Sequence, residues 1–150
     1  MPAPESHRAA ARVMALFPNL LRAAFSEVRR QWHPSHYVLL GLVERRSPTL
    51  SEIAEYQGVS LPAASSAVST LEDYGWVTRQ RDEIDRRVVH VLLTEAGQTA
   101  YQQMNLNILA RIAAHLEQLS PEDLEAAQRG ADLLIRALSV DPQVKLRIKE

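Results

Sequence analysis

Leu50-Ser51-Glu52-Ile53-Ala54-Glu55-Tyr56-Gln57-Gly58-Val59-Ser60, with the run Leu61-Pro62-Ala63-Ala64-Ser65-Ser66-Ala67-Val68-Ser69-Thr70-Leu71 that follows, decides the fold. Ser51 can cap a helix that has Glu52 in its first turn, and Gly58 can end that helix in the left-handed conformation. Ser60 can then cap a second helix running through Ala64, Val68 and Leu71 to Gly75. Pro62 falls in its first turn, where a missing N–H costs little. Two short helices joined by a three-residue turn containing glycine form a helix-turn-helix.

Beyond Gly75 the period changes. Val77 to Arg81 and Val89-His90-Val91-Leu92-Leu93 read as two strands around the charged turn Asp82-Glu83-Ile84-Asp85-Arg86. A hairpin directly after a helix-turn-helix is a wing. Thr94 can cap a long helix carrying Tyr101, Leu109, Ile112 and Leu116, and Ser120-Pro121-Glu122-Asp123 can cap a last one. In that last helix Leu124, Ala127, Ala131, Leu134 and Leu138 form a coiled-coil-like seam that wants a partner, and Pro142 follows it. Upstream, Pro34 opens a short apolar helix, roughly 35–45, ending at Arg45-Arg46, and Pro48 lies in the next connection. Further upstream, Ala9, Val13, Leu16, Leu20, Ala24 and Val28 predict one amphipathic helix over about 6–31, kinked near Phe17-Pro18, or two helices meeting there. The expected architecture is mainly α: a single domain over 1–150, with a winged helix-turn-helix and two-stranded β-wing over about 35–93. Helices over about 6–31 and 95–138 form a helical dimerisation region.

Composition narrows the function. The chain has 150 residues, 46% hydrophobic and 23% charged, enough for one core. It has no Cys, which excludes disulfides, a Cys-ligated zinc, a thiol nucleophile and a cysteine redox trigger. The longest apolar run, Tyr37 to Val43, is far shorter than the ~18 residues of a membrane span. The start, Met1-Pro2-Ala3-Pro4-Glu5, lacks a signal-peptide layout, so a cytoplasmic protein with no membrane partner is expected. With 5 Gly there is no phosphate-binding loop, and no nucleophile elbow or metallohydrolase motif is present. His33-Pro34-Ser35-His36 could offer two metal ligands but lacks others nearby, so it reads as a helix N-terminus. No catalytic residue, metal or cofactor is expected, and the protein is not read as an enzyme. The net charge of −1 is unevenly spread: residues 51–75 carry Glu52, Glu55, Glu72 and Asp73, and no Lys or Arg occurs from Ser47 to Thr78.

The wing sequence carries a family signature. Asp85-Arg86-Arg87-Val88-Val89-His90-Val91-Leu92-Leu93-Thr94-Glu95-Ala96-Gly97 resembles the MarR (multiple antibiotic resistance regulator) pattern. There an Asp-x-Arg at the wing tip leads into a strand ending Leu-Thr and a helix opening Glu-x-Gly. Leu50-Ser51-Glu52-Ile53-Ala54 and Leu71-Glu72-Asp73-Tyr74-Gly75-Trp76-Val77 resemble the ends of that family's helix-turn-helix, and His36-Tyr37-Val38-Leu39-Leu40 stands where it shows Gln, an aromatic and an apolar run. The resemblance covers nearly the whole chain. It implies a sequence-specific transcriptional regulator, a ligand-relieved repressor acting as a homodimer on a pseudo-palindromic operator.

Read residue by residue, the expected DNA-binding set is Ser60, Pro62, Ala63, Ser65, Ser66, Ser69 and Thr70 on the recognition helix, with Arg79, Arg81, Asp85, Arg86 and Arg87 on the wing. Wing arginines suit phosphates or the negative potential of a narrow minor groove, and Asp85 can orient Arg87. The recognition helix departs from the family: Ser66 stands where an Arg is common, leaving short Ser/Thr contacts and an Ala63 contact to a thymine methyl. The alternative is a winged-helix protein-interaction module with weak or lost DNA binding. The resemblance also implies a small aromatic or anionic effector, with Phe17, Leu21, Arg22, Trp32, His33, His36, Tyr37 and Met104 as its expected contacts.

Overall fold

A computed structural model describes residues 5–26 and 32–138. In chain order the elements are α1 (Glu5–Phe25), α2 (Pro34–Arg46), α3 (Leu50–Gln57), α4 (Leu61–Asp73), β1 (Val77–Arg81), β2 (Val89–Leu93), α5 (Glu95–Leu116) and α6 (Pro121–Leu138). The mainly helical winged-helix fold read from the sequence is the one observed. The chain packs as two compact units, Met1–Ile112 and Ala113–Glu150.

In the first unit the helix-turn-helix closes over an apolar core. Leu39, Leu40 and Val43 of α2, Ile53 of α3, Ala64, Val68 and Leu71 of α4, and Val77 and Val91 of the strands are all buried. Each fully buried Leu or Val contributes roughly 1.5–3 kcal/mol. The strands pair antiparallel with Val77 opposite Leu93 and Arg81 opposite Val89. A single bridge from Thr49 to His90, with the Val91 N–H donating to the Pro48 carbonyl at 2.8 Å, ties the α2–α3 connection to β2.

The caps correct one sequence expectation. Thr49, not Ser51, caps α3: its Oγ1 accepts from the Glu52 N–H at 3.2 Å, and Glu52 accepts from the Thr49 N–H at 2.7 Å. Glu52 is therefore the third helical residue of a reciprocal capping box, two places later than a Ser51 cap would set it. These hydrogen bonds hold the Glu52 carboxyl below the usual carboxylate range. Gly58 (φ 64°) and Gly75 (φ 72°) end α3 and the α4 segment as expected, and Ser60 caps α4. α1 runs unbroken through Pro18, so the two-helix alternative does not hold; the Asn19 amide donates to the Ala15 carbonyl at 3.1 Å in the turn the proline occupies. Residues 27–31 of that expected helix, and Pro142, lie outside the described residues.

The motif Thr94-Glu95-Ala96-Gly97 joins wing to helix. Thr94 Oγ1 donates to the Gly75 carbonyl at 2.6 Å and accepts from the Gly97 N–H at 3.0 Å, while the Thr94 N–H donates to the Trp76 carbonyl at 3.1 Å. A Cβ on Gly97 would sit 1.8 Å from that same carbonyl oxygen, so only glycine lets the α5 start lie this close.

In the second unit, α6 opens with Ser120 accepting from the Asp123 N–H at 3.1 Å, as its sequence predicts. α6 has no buried residue; Leu133 and Leu138 are exposed, and Leu134 is half-buried.

Candidate nucleic-acid interface

α4 turns Ala64, Val68 and Leu71 inward and leaves Pro62, Ala63 and Ser66 exposed. Its N-terminus is open: Ser60 Oγ accepts only the Ala63 N–H, at 3.3 Å, and Ser60 itself is exposed. A helix end of this kind attracts anions. Thr70 Oγ1 is bound back to the Ser66 carbonyl at 3.2 Å. Ser65 and Ser69 are half-buried on the flank that meets β1.

The wing tip is built by two aspartates. Asp82 Oδ1 accepts from the Ile84 and Asp85 N–H groups at 2.8 and 2.9 Å, which folds the loop and holds the Asp82 carboxyl below the usual carboxylate range. Asp85 accepts from Arg87 three times: from its N–H at 3.0 Å, from Nε at 3.1 Å and from Nη2 at 3.2 Å. The Arg87 guanidinium keeps the Asp85 carboxyl low in turn. The Arg87 side chain is still 91% exposed, so it is oriented without being consumed. Arg81 and Arg86 are exposed and share a surface cleft with Asp82 and Glu83.

His90 links this loop to the body. Its ring lies 3.2 Å from the Ser47 carbonyl through Nδ1 and 3.2 Å from Asp82 Oδ2 through Nε2. Ser47 sits at φ 44°, the positive-φ non-glycine among the described residues.

Of the residues expected to meet an effector, the structure gathers only some. Trp32 and Met104 are buried in the main core and Tyr37 packs against it. Tyr37 lies 5.4 Å from the Tyr101 ring, 5.9 Å from Phe25 and 6.4 Å from Trp32, and its hydroxyl donates to Asn105 at 2.7 Å. Burial, then the neighbouring Tyr101, pushes the Tyr37 hydroxyl up to about 12. His33 and His36 make the α2 N-terminus: His33 Nδ1 accepts from the Ser35 N–H at 3.2 Å and His36 Nδ1 from the His33 N–H at 3.3 Å. Burial, then His33, lowers His36. Phe17 and Leu21 are exposed on α1, and Arg22 donates to Asn19 at 3.0 Å. Among the described residues no cluster of His, Asp and Glu is arranged to hold a metal.

The order of helices and wing has counterparts among known proteins. The MarR family profile matches residues 33–89, the stretch from the α2 cap through the wing. The chain belongs to the MarR family. The HTH-type transcriptional regulator YfiV of Bacillus subtilis is 35% identical over 105 residues, covering 70% of this chain and 66% of that protein. The chain thus spans just under two thirds of that relative's length. A MarR family protein from Bacillus stearothermophilus superposes with TM-score 0.74 at 22% identity, covering 91% of this chain and 97% of that one. Streptococcus pneumoniae FabT, solved in complex with DNA, superposes with TM-score 0.61 at 21% identity, covering 89% and 96%.

This family comprises transcriptional regulators, not enzymes. In this MarR-family chain no described helix is long and apolar enough to cross a membrane. Reading the sequence missed Glu72, which pairs with Arg79 at 3.0 Å, and the Ser47–His90–Asp82 link. The only signal for Glu72 was its place on the Ser65–Ser69 face of the MarR recognition helix, four and three residues apart.

Proposed function

We propose that the protein is a sequence-specific DNA-binding transcriptional regulator, working as a homodimer on a pseudo-palindromic operator. One observation carries this reading: Arg87 is held in a fork by Asp85 yet stands 91% exposed at the wing tip. An arginine oriented by Asp85 through two side-chain hydrogen bonds and still exposed suits the negative potential of a narrow minor groove. The α4 N-terminus offers the second contact, in the major groove. Resemblance supports the further proposals that the protein represses, and that a small aromatic or anionic effector relieves it near the Trp32–Tyr37 cluster.

The dimer rests on exposed apolar surface. α1 presents Met14 (69% exposed), Leu16, Phe17 and Leu20, and α6 presents Leu133 and Leu138 (66%). Apolar patches of this kind on small proteins mark interaction sites, and a second copy would cover like with like.

The test uses a duplex that the protein selects from a randomised pool. Arg87→Ala is expected to weaken binding to it by about 1–3 kcal/mol, the range for one well-placed contact, with the fold intact. Asp85→Ala should cost less, since it only orients the arginine. Arg87→Ala binding as tightly as the parent would remove the wing from the mechanism. A second reading, a protein-interaction module, draws on the Lys- and Arg-free α3 and α4, and it predicts that no sequence is selected.

A further inference from the structure

Of the two arginines on β1, Arg81 is exposed and Arg79 is turned onto α4. Arg79 Nη2 donates to the Ser65 carbonyl at 2.9 Å, to Ser69 Oγ at 3.0 Å and to Ser65 Oγ at 3.3 Å. Its Nη1 lies 3.0 Å from Glu72 Oε2, and both side chains are only 30% exposed. Nε is buried and faces no acceptor, so both ends of the fork, and nothing else, hold it. Ser65, Ser69 and Glu72 form one stripe along α4, so a single guanidinium grips two turns of the helix.

Beside this grip the α4–wing contact has an apolar part: Val68 and Leu71 belong to the same buried core as Val77 and Val91. Apolar contact is non-directional, whereas a planar fork with several acceptors fixes position and rotation together. Position matters more here than on an arginine-rich recognition helix. The exposed α4 side chains Ala63 and Ser66 are short, and short groups meet base edges only if the helix sits within about 0.5 Å of the productive placement. We infer that Arg79 is a positioning residue that sets operator selectivity, gripping Ser65, Ser69 and Glu72 so that α4 is held on the wing. It does not serve as a phosphate contact. This rests on the DNA-binding reading above.

Three variants separate the two roles: Arg79→Ala, Arg79→Lys and Glu72→Ala. Each is compared with the parent for affinity to the selected duplex and to a scrambled one, across a salt series. All three are expected to shrink the ratio between the duplexes by about tenfold, the scale of one mismatched base pair. The salt dependence of Arg79→Ala should match the parent's. Arg79→Ala removes a cation and Glu72→Ala an anion, so a purely electrostatic role would move the scrambled-duplex affinity in opposite directions and leave the ratio alone. Arg79→Lys keeps the charge without the fork, so it should not rescue. Glu72→Ala puts a better helix former on a partly exposed site and keeps the test usable if the Arg79 variants unfold. The positioning role is overturned if Arg79→Ala lowers both affinities equally and flattens the log–log salt slope by about 0.9 per subunit, or if Arg79→Lys restores the ratio. A parent that selects no sequence would instead overturn the DNA-binding reading itself.

Discussion

Gly97→Ala is expected to cost about 3 kcal/mol of folding stability, at the upper end for overpacking. The added Cβ would lie 1.8 Å from the Trp76 carbonyl oxygen and 2.7 Å from its carbon, and these are backbone atoms that cannot rotate away. That carbonyl also accepts the Thr94 N–H, and Thr94 holds Gly75 and Gly97. Relief must therefore open the junction between the wing and α5. Gly41→Ala is the useful contrast, since its Cβ would meet the Tyr101 hydroxyl at 2.8 Å, the end of a side chain and not backbone. Urea denaturation should show a much lower midpoint for Gly97→Ala than for Gly41→Ala. Equal midpoints would mean that the close approach at residue 97 is not a constraint.

Leu134→Glu with Leu138→Glu is expected to abolish assembly. α6 buries nothing by itself, with Leu138 66% exposed and Leu134 half-buried, so a partner must cover this face if the dimer reading holds. Two carboxylates there would have to be desolvated on association. Light scattering should then report monomer or aggregate. Operator affinity should fall by about 10²–10⁴-fold, because the second half-site no longer binds as a tethered partner. A double variant that stays dimeric, or a monomer that binds at parental affinity, would take this helix out of the mechanism.

The sequence revealed what is local. Ser60 and Thr94 cap where expected, Gly58 and Gly75 stop where expected, and Asp85 with Arg87, two residues apart in a tight turn, pair as expected. The choice between Thr49 and Ser51 was not legible by type, since both are hydroxyl residues before a Glu. It was decided by Glu52 reaching back three residues, not one. Arg79 shows the larger gap. By composition it is one of four wing cations with Arg81, Arg86 and Arg87. Only the packing of β1 against α4 brings it to Glu72 and two serines, and no periodicity in either segment encodes that meeting. Likewise Gly97 is visible as part of a signature, but its reason lies in a carbonyl twenty-one residues earlier.

The central claim, a regulator that grips DNA through a small number of wing arginines, is tested most directly by the salt dependence of operator binding. With Arg79 turned inward, three exposed wing cations remain in each subunit to displace counterions: Arg81 and Arg86 at phosphates and Arg87 in the groove. At about 0.9 counterions released per contact, two subunits give a log–log slope near −5 on the selected duplex. The account predicts that slope together with clear preference for the selected duplex over a scrambled one. Binding that shows no sequence dependence even at ~50 mM salt, where the phosphate attraction is strong, would contradict it.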